Sequence, residues 1–400
     1  MSHTGAPECM KAMIERKRFT ILSLVLICLP TAINAQNSAA TLAQVQRHYQ
    51  AAQEFERSGK WAEAETEWRQ ALALAPQDAR GWTNLGVVLN RQGKSEEAIA
   101  AWRRAIAHDR TLEGAHFNLG ITLVKEGDFG AAIPYLRYVL TKDPTNDVAR
   151  RALAVALIGV ERFQDASREI AQLLLRSPRE PALLEMAAQN FMRQQRFGEA
   201  AMVLERRLKL PAAENKWLVL YGDALDGVGR TEEAAKAYRQ ALDKEPKSTI
   251  IRYGLGYLYW KLYRYDEAEV ELKQVLAEDP TDARAAFTLG DLYLTQSKAK
   301  EALPYLEVAA RRYPKEFDTR FALGRALLST GERERGITEL RAAVQINDGI
   351  ADGHFQLGRA LMQAGQTEAG QQHLSRAQKL HEQKRMLEAE RLRKKLPSNQ

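Results

Sequence analysis

Small and large apolar positions recur along this chain with a period of 34 residues. A 34-residue window started at Val45 and stepped along the sequence begins at 45, 79, 113, 147, 181, 215, 249, 283, 317 and 351, with no insertion or deletion. The eighth place is always Ala or Gly, from Ala52, Gly86 and Gly120 to Gly324 and Gly358. The twentieth is small throughout, from Ala64, Ala98 and Ala132 to Gly336 and Gly370. The eleventh and twenty-fourth places are large and apolar, as at Phe55, Leu89 and Tyr259, and at Trp68, Trp102 and Tyr238. Two helices can cross closely only where each offers a site without bulk, flanked by large residues that interdigitate. Each window therefore predicts a pair of antiparallel helices. Leu85, Gly86 and Leu89 mark one apolar face, and Ala98, Trp102 and Ala105 mark the other.

Breakers fall between these faces. Gly93 stands where a left-handed residue would end the first helix. Pro76, Pro144, Pro178, Pro246, Pro280 and Pro314 share the thirty-second place and stop the second. Pro134 and Pro304 are expected in the first turn of a second helix, where no intrahelical bond is lost. The fifth window departs from the others, with Arg207 in place of a small residue and Pro211 one place early. A hinge near residues 205–216 and a local adjustment without wider meaning are the two readings of that departure. From Gln371 to Leu396 no Gly or Pro intervenes, so the last helix is expected to run on, charged enough to cap the array. A period of this kind marks a repeat architecture.

Trp82-Thr-Asn-Leu-Gly86 with Leu89, followed by Gly93, Ala98, Trp102 and Ala105, resembles the tetratricopeptide repeat family. The resemblance covers residues 45–384. It implies an all-α fold, an α-solenoid in which ten 34-residue helix pairs stack into a right-handed superhelix. It also implies a concave surface built mainly from the first helices.

Composition agrees with helices. Ala, Leu, Arg, Glu and Gln abound, with only 13 Pro and 25 Gly. The net charge of +7 is less informative than its placement. The first 35 residues carry four basic side chains against two acidic, and residues 378–400 carry seven against three, which leaves +1 for the body. No nucleic-acid partner is therefore expected. Both cysteines, Cys9 and Cys28, lie in the first 35 residues, so the body holds no thiol for a disulfide or a cysteine ligand.

The amino terminus reads as an address. Arg16-Lys17-Arg18 precedes an apolar run over 19–29, Pro30 ends it, and Ala35 offers a cleavage site before Gln36. Residues 1–35 are thus expected to be a signal peptide, residues 36–44 a lead-in, 45–384 the repeats, and 385–400 an extension of the last helix with a basic tail. Export to the periplasm or medium follows. The alternative is an uncleaved anchor at 19–29, the one route by which the chain would meet a membrane. Met1, Met10 and Met13 are alternative starts.

No stretch of the sequence carries a catalytic or ligand-binding constellation. Gly93-Lys94-Ser95 lacks the upstream glycine and strand of a phosphate loop, since Val88 stands where the glycine belongs. His48, His116 and His354 share the fourth place of separate windows, which makes them packing histidines rather than joint ligands. His373 and His381 lie too far apart for an i, i+4 metal pair. No nucleophile elbow or paired-carboxylate site occurs, and neither catalytic residues nor a cofactor or metal are expected.

Function is then expected at a surface. In the family, partners lie along the inner surface against first-helix places two, five, six, nine, twelve and thirteen. In windows two to four these places include Arg80, Asn84, Asn90, Arg91, Asn118, Lys125 and Arg151. Asn84 and Asn118 resemble the family's groove asparagines, whose amides match a peptide group's donor and acceptor. The cations beside them favour an acidic segment or a terminal carboxylate. In windows seven to ten the inner register carries Tyr253, Tyr257, Trp260, Phe287, Phe321 and Phe355, which suit either a partner or the neighbouring repeat. Asp223, Asp226 and Asp291 near them oppose the basic half. The chain is read as a non-catalytic scaffold that binds proteins or peptides in its groove. The alternative is a carbohydrate-binding or polysaccharide-export module whose aromatics stack on glycans.

Overall fold

The computed structural model describes residues 39–395, with side chains to 391, so the amino-terminal address and residues 396–400 lie outside the described residues. Within them the chain forms ten helix pairs and no strand. The first helix, α1, covers 39–57 and takes in part of the expected lead-in. It pairs with α2 (Trp61–Leu74). Then follow α3 (Ala79–Arg91) with α4 (Ser95–His108), α5 (Glu113–Lys125) with α6 (Phe129–Lys142), and α7 (Asp147–Gly159) with α8 (Phe163–Arg176). The next pairs are α9 (Pro181–Arg193) with α10 (Phe197–Leu208), and α11 (Asn215–Gly227) with α12 (Thr231–Lys244). The last are α13 (Thr249–Lys261) with α14 (Tyr265–Glu278), α15 (Ala283–Thr295) with α16 (Ala299–Arg312), α17 (Phe317–Ser329) with α18 (Arg333–Ile346), and α19 (Ala351–Gln363) with α20 (Thr367–Lys395). From α3 to α19 every first helix is 13 residues long and starts at the first place of its window. The fold is an all-α solenoid of 34-residue helix pairs. It divides into two compact units, one ending at Met186 and one beginning at Ala187.

The small eighth place is explained by its partner. A Cβ on Gly86 would stand 2.4 Å from Trp102 Nε1, and one on Gly290 would stand 2.6 Å from Leu306 Cγ. The eighth place thus receives the large twenty-fourth place of its own pair. Trp102 is buried there and donates its indole N–H to the Thr83 carbonyl at 3.1 Å.

A second device holds the turns. The fourth-place side chain donates to the carbonyl six residues earlier: Trp82 to Pro76 at 2.8 Å, Arg150 to Pro144 at 2.7 Å, and Arg252 to Pro246 at 2.6 Å. Arg320 does the same to Pro314 at 3.1 Å, and His116 and His354 place Nε2 at 3.1 and 3.0 Å from the Arg110 and Asp348 carbonyls. Fourth-place residues also reach a carboxylate 19 residues on, in Arg150–Glu169, Arg252–Glu271, Arg320–Glu339 and His48–Glu67. His354 meets His373 instead, Nδ1 to Nδ1 at 2.9 Å.

The structure departs from the repeat pattern at three places. Pro134 and Pro304 are each the sixth residue of their helix, past the first turn. Each therefore removes one backbone bond, at a solvent-exposed position. In the fifth pair, α10 is 12 residues long where the other second helices before α20 have 14. Arg207 is buried and donates to the Ala212 carbonyl at 3.2 Å, across a turn in which Ala212 takes φ +54°. The first-helix register resumes at Asn215. The departure is therefore local. Finally, α20 runs 29 residues, but it packs only through Leu380, and residues 381–391 are exposed. Residues 381–391 cover no core.

Candidate binding faces

Two faces, one in each unit, carry the expected site residues. In the first unit α3, α5 and α7 lie side by side and share a face. Asn84 and Asn118 occupy the same place on α3 and α5, both half-buried. Among the described residues neither amide makes a side-chain hydrogen bond, which leaves both a donor and an acceptor free. Arg91 and Lys125 end the same two helices, exposed and without an ion pair among the described residues. Asn90 precedes Arg91, half-buried. Arg80 lies at the opposite end of α3, roughly 16 Å away at 1.5 Å per residue, within Coulomb range of Asp109. Arg151 is not free: it grips Glu180 through two contacts of 2.8 and 2.9 Å. Its cation is spent inside the unit.

The sequence reading passed over the apolar members of this face. Val87, Ile121 and Val155 occupy the ninth place on α3, α5 and α7, all half-buried, with Phe117 beside them on α5. Their signal was available in the same 34-residue period, at a place where α11, α15, α17 and α19 carry charge.

In the second unit α13, α15, α17 and α19 adjoin in order. Tyr253, Tyr257 and Trp260 form one stack on α13, with centroid separations of 6.3 and 5.6 Å. Arg284 lies over Tyr253 at 4.8 Å and Lys261 over Tyr257 at 5.8 Å. Lys261 also bridges to both oxygens of Asp226 at 2.7 Å, which ties α13 to α11. Phe287 is half-buried on α15. Phe321 stacks on Phe317 at 5.3 Å and packs against a core of Ile337, Leu340 and Leu357, so it serves the interior as much as the surface. Phe355 is 42% exposed, with Arg359 at 5.7 Å from its ring. The aromatic candidates therefore split between Tyr257 and Phe355, which are open, and Phe321, which is not.

Asp223 is open to solvent, yet the protein around it pushes its carboxyl above the ordinary range. Asp226 adds to that effect, and a 2.5 Å bond from the Tyr238 hydroxyl opposes it. Burial also raises Asp291, against the pull of Arg325 and of the Trp260 indole. A depression of about 400 Å³ lies between α10, α11 and α12, with Leu208, Leu218 and Leu225 in its floor and Lys236 and Lys244 at its rim. Among the described residues no group of three or more His, Cys, Asp or Glu could hold a metal ion. No described helix is long and apolar enough to cross a membrane.

Two sequence families, both described as tetratricopeptide repeat, match this chain. One matches at 49–111, 91–147 and 287–353, the other at 123–190 and 227–292. The chain belongs to the tetratricopeptide repeat family. Proteins built of these repeats are in general non-catalytic, and the repeats of this chain support a scaffold for protein interaction. Among solved structures it is similar to MamA from Desulfovibrio magneticus RS-1, at 22% identity and a TM-score of 0.40, over 42% of this chain and 96% of that one. A MamA of AMB-1 is 26% identical at a TM-score of 0.38, over 42% and 92%. YrrB, a TPR protein with an unusual peptide-binding site, is 22% identical at a TM-score of 0.40, over 45% and 93%. No curated protein matches the chain.

Proposed function

We propose that this protein is an exported scaffold that holds extended peptide segments of its partners on the first-helix faces. The observation that carries this reading is the pair Asn84 and Asn118. Among the described residues, two equivalent amides on neighbouring first helices keep their donors and acceptors free, beside an apolar column and two unpaired cations. A bound main chain satisfies such amides whatever its sequence. The column of Val87, Ile121 and Val155 takes its apolar side chains, and Arg91 and Lys125 favour an acidic residue or terminal carboxylate. Export rests on the three-part pattern of residues 13–35 and on a body without cysteine.

Both parts can be tested in cells. A photo-crosslinker placed at Ile121 should capture partners in the extracytoplasmic fraction, and Asn84→Ala with Asn118→Ala should reduce capture at least about tenfold, a loss of roughly 1.4 kcal/mol. Unchanged capture by the folded double variant would sink the amide reading. Amino-terminal sequencing of the fractionated protein should give a start at Gln36. A retained amino terminus in the cytosol would overturn export.

A further inference from the structure

We propose that the first-helix face of the second unit selects a two-part peptide, cationic where it crosses α13 and acidic where it crosses α17 and α19. This deepens the peptide-binding reading and rests on it. The ninth place of the successive first helices reads Asp223, Tyr257, Asp291, Arg325, Arg359. Side-chain contacts join these helices into one face. Lys261 of α13 reaches Asp226 of α11, Arg284 of α15 covers Tyr253 of α13, and Trp260 of α13 lies in hydrogen-bonding reach of Asp291 on α15.

Of the acidic end, Asp226 is bridged by Lys261, while Asp223 and Asp291 form no ion pair among the described residues. Asp223 has a tyrosine hydroxyl as its partner and Asp226 as its neighbour, with no cation against it among the described residues. Asp291 has Arg325 within Coulomb range, which does not offset its burial. Between these carboxylates stands Tyr257, 36% exposed, whose ring already lies near the ammonium of Lys261. A carboxylate-flanked aromatic face attracts a lysine or arginine side chain by cation–π attraction and by charge. The basic end is the mirror case. Arg325 and Arg359 lie over the rings of Phe321 and Phe355, each at 5.7 Å, and neither forms an ion pair among the described residues. A guanidinium braced on a ring keeps its donors in one plane, ready for a carboxylate.

Spacing sets the partner's pattern. Packed helices lie about 8–10 Å apart, so α13 and α17 are separated by roughly 20 Å. An extended chain rises about 3.3 Å per residue. The acidic residue should therefore fall about six residues from the cationic one if it meets Arg325, and about nine if it meets Arg359.

The test uses the full chain and fluorescent 14-residue peptides, acetylated and amidated so that no terminal charge contributes. Four sets are compared by anisotropy: Lys-then-Glu at six- and nine-residue spacing in both chain directions, all-Lys, all-Glu, and a neutral aromatic set. The two-part set should bind at least about tenfold tighter than either single-charge set. Asp223→Asn with Asp291→Asn should abolish the benefit of the lysine, and Arg325→Gln with Arg359→Gln that of the glutamate. Circular dichroism confirms folding of each, and the two double variants fail independently, so one misfolded protein does not end the test. Peptides that bind equally whatever their charge would overturn the inference and leave peptide binding intact. No binding by any set, together with none by a random peptide mixture, would overturn the peptide reading and this inference with it.

Discussion

A Cβ on Gly86 would stand 2.4 Å from Trp102 Nε1, and the ring cannot swing aside freely, because that nitrogen is held by the Thr83 carbonyl. Ordinarily a Gly-to-Ala change inside a helix gains up to about 1 kcal/mol. Overpacking a filled core costs about 1–3 kcal/mol, and here it should win. Gly86→Ala is expected to destabilise the protein by about 1–2 kcal/mol in urea unfolding. The control is Gly114, also within a first helix, where an added Cβ meets nothing within 4 Å. Gly114→Ala should be neutral or stabilising. If the two variants unfold alike, the eighth place is small for a reason other than its partner at the twenty-fourth.

The fourth place meets different partners 19 positions on, a carboxylate in several repeats and His373 in the last. The Asp348 carbonyl can only accept, which assigns the Nε2 hydrogen to His354, so the neutral ring accepts at Nδ1 and His373 donates to it. Around this pair lie Arg341 on α18, the Arg376–Asp348 bridge at 3.0 Å, and Asp352 at 3.9 Å from His381. Burial first, then the charges of His354 and Arg341, hold His373 below its usual 6.5. A base whose folded value is lowered contributes stability that is full above about 6.5 and is lost as pH falls below it. His373→Glu would install the carboxylate that Arg150, Arg252, Arg320 and His48 already face. The lowered base is then gone, and with it the loss of stability below 6.5. Between pH 7.5 and 5.5 the wild-type transition reporting on α19 and α20 should weaken, while that of His373→Glu should gain about 1 kcal/mol relative to it. A parallel pH profile for the two proteins would rule the pair out as its source. None of this pairing was read from the sequence, although the helices were. The period sets where each helix starts because every window repeats one packing problem. Which side chains meet across 19 or 29 residues depends on rotamers and turn geometry, and the period does not encode those. Arg151 shows the difference: its place marked it as a groove cation, and Glu180, 29 residues on, neutralises it.

Packing within each unit runs mainly between neighbouring helices, so stability should approach a sum of pairs and interfaces, with the ends protected by a capping surface. Helix α20 makes this testable because its two halves differ. Leu374 fits against Gly358, and Ala377 is buried, whereas residues 381–391 are all exposed. A chain stopped after Leu380 should lose less than about 0.5 kcal/mol, the ordinary range for surface changes. A chain stopped after Gln366 uncovers Leu357, Gly358 and Leu361 on α19, and should destabilise the last pairs and aggregate. Where the damage stops is the sharper question. Trp61, Trp68, Trp82 and Trp102 lie in the first unit, and only Trp217 and Trp260 of the six tryptophans lie in the second. With Trp217 and Trp260 replaced by Phe in a common background, fluorescence reports on the first unit alone, while circular dichroism reports on all helices. If interactions are nearest-neighbour, the shorter truncation should leave the fluorescence transition in place and lower the early part of the dichroism transition. A fluorescence midpoint that falls by the same amount would mean that the array unfolds as one cooperative body, and the sum over pairs would have to be abandoned.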